Sequence, residues 1–460
     1  MLQSIINITE IENFKDFSPE FYKPAFIKLS KILRSLPYKK VGNIAYVTDG
    51  EHGSPMWDES SGIKYITAEF IKPNFIEEGI TKSISIIQDE RNARARVQEN
   101  DVLVYSVGAY AGYAAKAESH LFPANIPRSV AIIRLHNTNV ILPEFLSVFL
   151  NSKFGIFQSL RYRAGNSQPV LALEKIKQFE VPEVKMDIQK QIAKLYNDSY
   201  ALRRKYVNLI NTTSEYFVKL FELDSIPLKS NKVFNGSFIN VVLNNRFDSG
   251  FFNPKYSIIY NKITEICKTN NWEIKKLGLI ASNFKYGSSD KLNYTKEGTP
   301  FLRIADLQEK RFEKENLKFI SDIDANKLNH AKVFAGDVLI SRSGSLGITV
   351  PIHKDLDGSV FGSYFIKFHP HEYIDIEYLS FYLNSIIGSY QIEQVNSGGI
   401  QTNITIPMLK SLYIVLPTKE IQEEITSKLK QAFNNKYESK RYLEIASSLL
   451  EKSIYSENNE

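Results

Sequence analysis

The chain has 460 residues, of which 43% are hydrophobic and 23% charged, with a net charge of +6 and one cysteine. That length predicts two or three domains, and that composition is typical of a folded protein rather than a disordered one. A single cysteine excludes an internal disulfide framework and a cysteine-rich zinc site, and the small positive charge permits a polyanionic partner without requiring one. No run of 18 apolar residues predicts a membrane span, and the N-terminus lacks the pattern of a signal peptide, so we expect a cytoplasmic protein.

The first half of the chain is predicted to mix short strands and helices after a helical N-terminal arm. DVLVYSVG (101–108) and VAIIRLH (130–136) have the apolar character of buried strands. In the segment EFLSVFLNS that follows, Leu146, Phe149 and Leu150 lie at helical spacing. This segment is therefore predicted to be a core-facing helix with a structural role only.

A long helix is predicted next, because no proline occurs between residues 183 and 226 and apolar residues alternate four and three apart. This alternation is the pattern of a coiled-coil seam, although Ser199 and Thr213 are weak members of it. The predicted seam residues are Ile188, Ile192, Leu195, Ser199, Leu202, Tyr206, Leu209, Thr213, Tyr216 and Leu220.

The second half of the chain repeats the first in the same order. The matched segments are FYKPAF (21–26) with FFNPKY (251–256), KKVGNIA (39–45) with KKLGLIA (275–281), DVLVYSVG with DVLISRSG (337–344), EFLSVFLNS (144–152) with EYLSFYLNS (377–385), RAGNSQP (163–169) with SGGIQTN (397–403), and IQKQI (188–192) with IQEEI (421–425). Because these matches are collinear, we interpret residues 18–217 and 248–450 as two copies of one unit, each far longer than a solenoid repeat. A duplicated scaffold whose halves share no task is the alternative interpretation.

A second long helix closes the second copy. Its seam residues are Ile421, Ile425, Leu429, Ala432, Leu443, Ala446 and Leu450, and Lys436 and Ser439 are predicted to interrupt the seam. Two amphipathic helices in one chain most simply pair with each other. We therefore predict an α+β protein with two tandem mixed α/β domains, each followed by a long helix, the two helices pairing as an antiparallel coiled coil with pseudo-twofold symmetry. The expected segments are an N-terminal helical arm (1–36), a first mixed domain (37–185), a first coiled-coil helix (186–222), a linker and helical arm (223–271), a second mixed domain (272–418) and a second coiled-coil helix (419–455).

Signatures of catalysis are missing from the sequence. No GxxxxGK[ST], GxSxG or HExxH motif occurs, and the seven histidines do not have metal-ligand spacing. NPKY (253–256) is similar to the Asn-Pro-Pro-Tyr motif of amino-methyltransferases, but it lacks the second proline and its counterpart KPAF lacks the asparagine. We therefore expect no enzyme activity and no metal or cofactor site in this chain.

Basic and amide-bearing loops are the remaining functional candidates. Arg, Lys, Asn, Gln and Ser side chains contact phosphates and base edges, with Arg–guanine and Asn/Gln–adenine the favoured pairs. One such loop alone is more often ordinary surface, but here the loops lie at predicted element ends in both copies. The candidate DNA contacts are Arg91, Arg94, Arg96, Arg128, Arg161, Arg163, Asn166 and Gln168 in the first copy, and Lys285, Tyr286, Arg303, Arg342, Ser343, Gln401 and Asn403 in the second.

These duplicated motifs, taken in their order, resemble the specificity (S) subunit of type I restriction–modification systems, over about residues 12 to 455. Gly398, Gln401 and Asn403 match that family's glycine–glutamine–asparagine turn. The first copy keeps Gly165 and Gln168 but has Val170 in place of the asparagine, so the two copies are not expected to contact DNA identically.

The resemblance implies that this chain recognises DNA and that partner subunits carry out the modification and restriction reactions. Each mixed domain would be a target recognition domain that reads one half of a bipartite sequence in double-stranded DNA. The paired helices would fix the spacing and dock two methyltransferase (modification) subunits, which bind S-adenosylmethionine, while restriction/translocase subunits would use ATP and magnesium. Two other hypotheses stay open on the sequence: a structural adaptor that scaffolds enzyme subunits without reading DNA, and an enzyme with an unrecognised site.

Overall fold

The computed structural model describes residues 19–80, 82–165, 168–225, 246–397 and 403–456. These residues form two compact units. The first unit contains the described residues up to Val207 together with those from Phe433 onward, and the second contains Asn208–Ala432. Each unit therefore combines a mixed α/β domain with parts of both long helices.

The first unit is built on a four-stranded antiparallel sheet of order β2-β9-β6-β7. Small two-stranded pairs, β1-β10, β3-β8 and β4-β5, surround it. The strands are β1 (Tyr38–Lys40), β2 (Ala45–Asp49), β3 (Lys64–Tyr65), β4 (Ile71–Lys72), β5 (Phe75–Ile76), β6 (Val102–Tyr105), β7 (Ala114–Lys116), β8 (Ala124–Asn125), β9 (Val130–Leu135) and β10 (Glu180–Pro182). The helices are α1 (Pro24–Arg34), α2 (Val41–Ile44), α3 (Ile86–Arg91), α4 (Pro143–Asn151), α5 (Lys153–Tyr162), α6 (Leu173–Ile176) and α7 (Met186–Leu220), of which α7 continues into the second unit.

The second unit repeats this sheet, with the order β12-β20-β17-β18. A three-stranded sheet, β16-β13-β19, and the pairs β11-β21 and β14-β15 accompany it. The strands are β11 (Glu273–Lys276), β12 (Ala281–Tyr286), β13 (Thr299–Leu302), β14 (Leu307–Gln308), β15 (Arg311–Phe312), β16 (Lys318–Ile320), β17 (Val338–Ser341), β18 (Thr349–Pro351), β19 (Val360–Phe361), β20 (Phe365–Pro370) and β21 (Tyr413–Leu416). The helices are α8 (Pro254–Asn270), α9 (Leu277–Ile280), α10 (Asp322–Lys327), α11 (Ile376–Asn384), α12 (Ile386–Val395), α13 (Ile406–Ser411) and α14 (Lys419–Ser456).

The inner strands of each central sheet are buried on both faces. In the first unit Val102 and Val104 of β6 pack in one hydrophobic cluster, whereas Leu103 between them packs in a second. β17 of the second unit divides its residues between two clusters in the same way. Alternate residues of a strand point to opposite faces, so burial on both sides explains why these segments are continuously apolar rather than alternating.

The repeated phrase EFLSVFLNS or EYLSFYLNS forms α4 and α11, and its core-facing role is confirmed. Leu146, Phe149, Leu150, Leu379, Tyr382 and Leu383 are all buried. The asparagine of the phrase binds the backbone of the edge strand: Asn151 Nδ2 donates to the carbonyl oxygen of Ala114 at 2.7 Å, and Asn384 Nδ2 donates to that of Thr349 at 2.6 Å. The repeated segment therefore has the same role in both units, where its asparagine attaches a helix to the edge strand of the central sheet.

The long helices pair antiparallel within the first unit. Ser199 of α7 lies against Ser439 of α14, with 2.9 Å between the hydroxyl oxygens, and Tyr206 lies against Phe433 with ring centroids 5.7 Å apart. The residue numbers thus rise along one helix as they fall along the other. The prediction that Ser439 interrupts the seam is wrong: its residue is only 5% exposed, and its carbonyl oxygen also accepts a hydrogen bond from the Ser199 hydroxyl.

The other predicted seam residues are buried or half-buried. Ile192, Tyr206, Ile425, Leu429 and Leu450 are buried, and Ile188, Leu195, Leu202, Leu209, Ile421 and Leu443 are half-buried. Residues outside the four–three alternation are buried as well: Tyr196 belongs to the core of the first unit, and Phe217 and Phe221 belong to that of the second. The long helices therefore carry an additional apolar stripe that packs on the mixed domains.

Candidate nucleic-acid interface

A concave site forms at one edge of the central sheet in the first unit. β9 runs antiparallel to both β2 and β6, so the start of β9 meets the ends of the other two strands. The backbone amide of Arg128 donates to the carbonyl oxygen of Glu51 at 3.0 Å, and the amide of Ser106 donates to that of Ser129 at 2.9 Å. These loops enclose a pocket of about 430 Å³.

The second unit holds the same backbone frame at the same edge. The amide of Ser363 donates to the carbonyl oxygen of Ser288 at 2.8 Å, and the amide of Arg342 donates to that of Tyr364 at 2.8 Å. A pocket of about 540 Å³ lies between these loops. The two copies therefore share one concave site, which is built by equivalent loops and lined by different side chains.

A glycine permits the close approach of these loops in both units. A Cβ atom on Gly50 would lie 1.6 Å from the carbonyl oxygen of Ile126, and one on Gly287 would lie 2.2 Å from that of Gly362. Both distances are far below van der Waals contact, so a side chain at either position would force the loops apart. Glycine is required here by space and not by an unusual backbone angle.

The two pockets differ in charge and in aromatic content. The first is lined by Glu51, Gly53, Pro55, Trp57, Tyr65, Thr67, Glu69, Phe70, Lys82, Val107, Pro127, Arg128, Ser129 and Gln168. The second is lined by Ser288, Ser289, Asp290, Tyr294, Phe301, Arg303, Ile304, Ala305, Ser343, Gly344, Gly362, Ser363, Tyr364 and Phe365. Two carboxylates, an indole and two basic side chains thus line the first pocket. Four serines, two tyrosines, one carboxylate and one arginine line the second.

Of the candidates in the first copy, Arg128 and Gln168 line the pocket and are exposed. Arg91, at the end of α3, is also exposed. Arg94 and Arg96 are exposed but engaged within the unit, Arg94 with Asp49 and Arg96 with Asp89. The half-buried Arg163 lies just after α5, and Asn166 lies outside the described residues.

Arg161 is a correction to the sequence prediction. Its residue is 7% exposed, its Nε donates to the carbonyl oxygen of Phe21 at 3.0 Å, and its Nη1 donates to the Ser30 hydroxyl at 2.8 Å. The guanidinium carbon also lies 3.9 Å from the centroid of the Phe21 ring. The prediction that Arg161 contacts DNA is wrong, because this side chain is used inside the unit to join α5 to the N-terminal arm.

In the second copy, Arg303 and Ser343 line the pocket. Arg303 forms an ion pair with Asp306, whose carboxylate also accepts the Arg303 backbone amide at 3.0 Å. Hydrogen bonding to Asp306 and its charge outweigh the effect of burial and raise the pKa of Arg303, so this guanidinium is charged and fixed in place.

The remaining candidates of the second copy lie beside its pocket. The Arg342 guanidinium stacks over the Tyr286 ring at 4.7 Å, and the Tyr286 hydroxyl accepts the Ile406 amide at 3.1 Å. Lys285 is exposed and Asn403 is half-buried, whereas Gln401 lies outside the described residues. The structure thus places Arg303, Arg342, Ser343 and Tyr286 around one end of the sheet.

Acidic and aromatic pocket residues were missed by the sequence prediction, which considered mainly basic and amide side chains. Glu51, Trp57 and Tyr65 were missed in the first unit, and Asp290 and Tyr294 in the second. One available signal was the glycine that follows the first strand of the sheet in both copies, in TDGEHG and KYGSSD. It marks the loop that builds each pocket.

The described part of the chain contains no group of three or more His, Cys, Asp or Glu side chains placed to hold a metal ion. No helix within it is long and apolar enough to cross a membrane.

Comparison with known proteins identifies the family. The model of the type I restriction modification DNA specificity domain matches residues 54–203 and again 269–447. No curated protein matches the chain.

Several solved structures are similar to the chain at low identity. The S subunit of a type I restriction–modification system from M. genitalium is 14% identical, with 91% of this chain and 93% of that chain covered and a TM-score of 0.47. A chain from a study of complex assembly and conformational transition of the type I R-M system is 16% identical, with coverage of 91% and 98% and a TM-score of 0.31. The HsdS subunit from Thermoanaerobacter tengcongensis is 15% identical, with coverage of 91% and 96% and a TM-score of 0.29.

The family match covers most of both copies of the duplicated unit, and it decides in favour of DNA recognition over a structural adaptor or an enzyme. The chain belongs to the type I restriction–modification DNA specificity family, and it is the non-catalytic DNA-recognition subunit of such a system, acting in a complex with DNA and other subunits.

Proposed function

We propose that each unit reads one part of a bipartite sequence in double-stranded DNA, and that the sheet-edge pocket with its surrounding loops is the reading surface. The observation that carries this proposal is the identity of the backbone frame in the two units, combined with the difference in lining. A shared frame would present two surfaces in the same way, and different side chains on that frame would select different bases.

Cationic side chains near each pocket supply the affinity in this proposal. Arg128 and Lys82 line the first pocket, and Lys285 and Arg342 lie beside the second. Contacts from such side chains to phosphates would position the protein on the duplex without sequence preference. Side chains within the pockets would then distinguish the bases.

The long helices would set the distance between the two parts of the target. The 35 residues of α7 correspond to a helix of about 50 Å at about 1.5 Å per residue. One turn of B-DNA is about 34 Å. Because α7 begins in the first unit and ends in the second, its length is suited to fixing how many unread base pairs separate the two half-sites.

The same helices would dock two methyltransferase subunits. Tyr437 and Ile445 on α14 keep 63% and 43% of their surface exposed, which is a large apolar exposure for a helix whose other face is buried. The proposed methyltransferase subunits would bind S-adenosylmethionine, and restriction/translocase subunits, with ATP and magnesium, would complete the assembly. This chain would bind none of these cofactors.

A mobility-shift competition with the assembled complex tests the proposal. Labelled genomic fragments are bound at moderate salt and challenged with an excess of random-sequence duplex. Retention of a subset of fragments that share two short motifs at a constant separation is expected. Equal competition for every fragment would contradict sequence reading, and motifs at variable separation would contradict the spacing role of the helices.

A further inference from the structure

The pocket of the first unit contains the carboxylate of Glu51, which a buried glutamine, Gln88, holds in place. Gln88 is 1% exposed, its Oε1 accepts the Met56 amide at 2.6 Å, and its Nε2 donates to Oε2 of Glu51. Within the described residues, Oε1 of Glu51 has no hydrogen-bond donor. Glu51 therefore presents one fixed acceptor atom to the pocket, because its other oxygen is used to orient it.

A buried hydroxyl without a partner lies in the same pocket. Tyr65 is 2% exposed, and in the described part of the chain its hydroxyl has no hydrogen-bond partner. Its ring is fixed edge-on by Trp57, with centroids 5.7 Å apart. Burial, and then the charge of Glu51, raise the pKa of Tyr65 to about 12, so the hydroxyl remains protonated and able to donate. A buried hydroxyl left unpaired is unfavourable, which indicates that a polar group from outside the chain satisfies it.

Resting on the proposed DNA reading, we infer that the pocket of the first unit recognises the exocyclic amino group of a base, adenine N6 or cytosine N4, through Glu51, with Tyr65 donating to an adjacent base acceptor. A carboxylate oxygen accepts hydrogen bonds and cannot donate them, so it selects an amino group. Guanine O6 and thymine O4 are themselves acceptors, so neither can form a hydrogen bond with the Glu51 carboxylate oxygen. Adenine offers an amino donor beside the N7 acceptor on its major-groove edge, which is the complement of one carboxylate oxygen and one hydroxyl.

The carboxylate of the second pocket is Asp290, and none of the described tyrosines that line this pocket has a buried, unpartnered hydroxyl. Ser288 occupies the place of Glu51 in the shared backbone frame, and its hydroxyl donates to Oδ2 of Asp290 at 3.0 Å. A change at Glu51 should therefore alter one position in one half-site and leave the other half-site as it was. This restriction to one half-site separates a specificity role from a general loss of folding or affinity.

Selection from a randomised duplex library by the assembled complex tests the inference. The variants are Glu51→Gln, which keeps the size and replaces one acceptor with a donor, and Tyr65→Phe, which removes only the hydroxyl. Glu59→Gln is the matched control, because Glu59 is an exposed carboxylate in the same loop. The wild-type complex and the control are expected to enrich adenine or cytosine at one position of one half-site, and which base is enriched distinguishes N6 from N4.

Glu51→Gln should reduce that preference at least about fivefold and admit guanine or thymine there, with the other half-site unchanged. Tyr65→Phe should weaken the preference at the same position. Retention of the wild-type preference by both variants would overturn the inference while leaving DNA reading intact. Failure of the wild-type complex to enrich any sequence would instead overturn the proposed function, and this inference with it.

Discussion

Alanine variants of Arg161 and Arg128 distinguish an arginine with a structural role from one that is proposed to contact DNA. Both were predicted from the sequence to contact DNA, but Arg161 is buried under the N-terminal arm and Arg128 is exposed at the pocket. Arg161→Ala should destabilise the first unit, whereas Arg128→Ala should leave its stability unchanged. The two changes remove the same charge, so a difference between them reports where each side chain lies.

The expected loss of stability follows from the contacts of Arg161. Its side chain donates to the Phe21 carbonyl oxygen and the Ser30 hydroxyl and stacks on the Phe21 ring. Hydrogen bonds from a charged group contribute about 1.5–3 kcal/mol each, so the loss of two predicts about 3–6 kcal/mol. For a domain of this size that corresponds to a decrease of about 6–24 °C in Tm. Arg161→Lys should recover little, because an ammonium cannot reproduce the planar fork of the guanidinium.

Thermal unfolding and salt-dependent binding are the two assays. Arg128→Ala should reduce affinity for all sequences and reduce the slope of log affinity against log salt by about one if Arg128 contacts a phosphate. Arg161→Ala should leave that slope unchanged at temperatures where the unit remains folded. An unchanged Tm for Arg161→Ala together with a reduced salt slope would refute the structural assignment of Arg161.

Three further predictions concern the second unit and the long helices. Arg342→Ala should cost about 1–3 kcal/mol and relax one position of one half-site if Arg342 reads a base, whereas a uniform loss across sequences would identify a phosphate contact. A seven-residue insertion between Leu202 and Tyr206, matched by one in the facing part of α14, adds about 10 Å of helix and should increase the separation of the half-sites. An unchanged separation of mapped methylation sites would contradict the proposal that the long helices set this distance. Burial alone would raise the pKa of Glu377, but hydrogen bonding from His353 and nearby positive charge outweigh it and lower that pKa, so the ionised carboxylate stabilises the fold. This contribution is present at neutral pH and is lost as the pH falls through the lowered pKa, so the Tm difference between wild type and Glu377→Gln should shrink in acid, and a difference independent of pH would contradict it.

Much of this fold could be predicted from sequence because its spacing patterns are clear and occur in both copies. The phrase that forms α4 and α11 has helical spacing, and the buried strands are continuous apolar runs, so local pattern and tertiary role agree there. The seam of α7 was likewise predicted from spacing, but Tyr196, Phe217 and Phe221 were missed because a heptad pattern describes only the helix–helix contact. Their partners are the mixed domains, whose position the sequence does not reveal.

The candidate site was less predictable, because residue type does not report burial. Arg161 and Arg128 are the same residue in loops or helix ends of the same half, and only the tertiary structure distinguishes them. Ser439 was predicted to break the seam on account of its polarity, but a facing serine satisfies its buried hydroxyl. Glu51 lies outside the predicted set, which contains no acidic residue, and its orientation in the pocket depends on Gln88, which is distant in sequence.

Exchange of one mixed domain tests the central claim most directly. Residues 272–418 are replaced with the corresponding segment of another family member, the complex is reassembled, and its target is mapped by methylation across a genome. The account predicts that one half-site changes to that of the donor while the other half-site is retained. A target unchanged in both halves, despite assembly of an active complex, would show that this chain joins the enzyme subunits without reading the DNA.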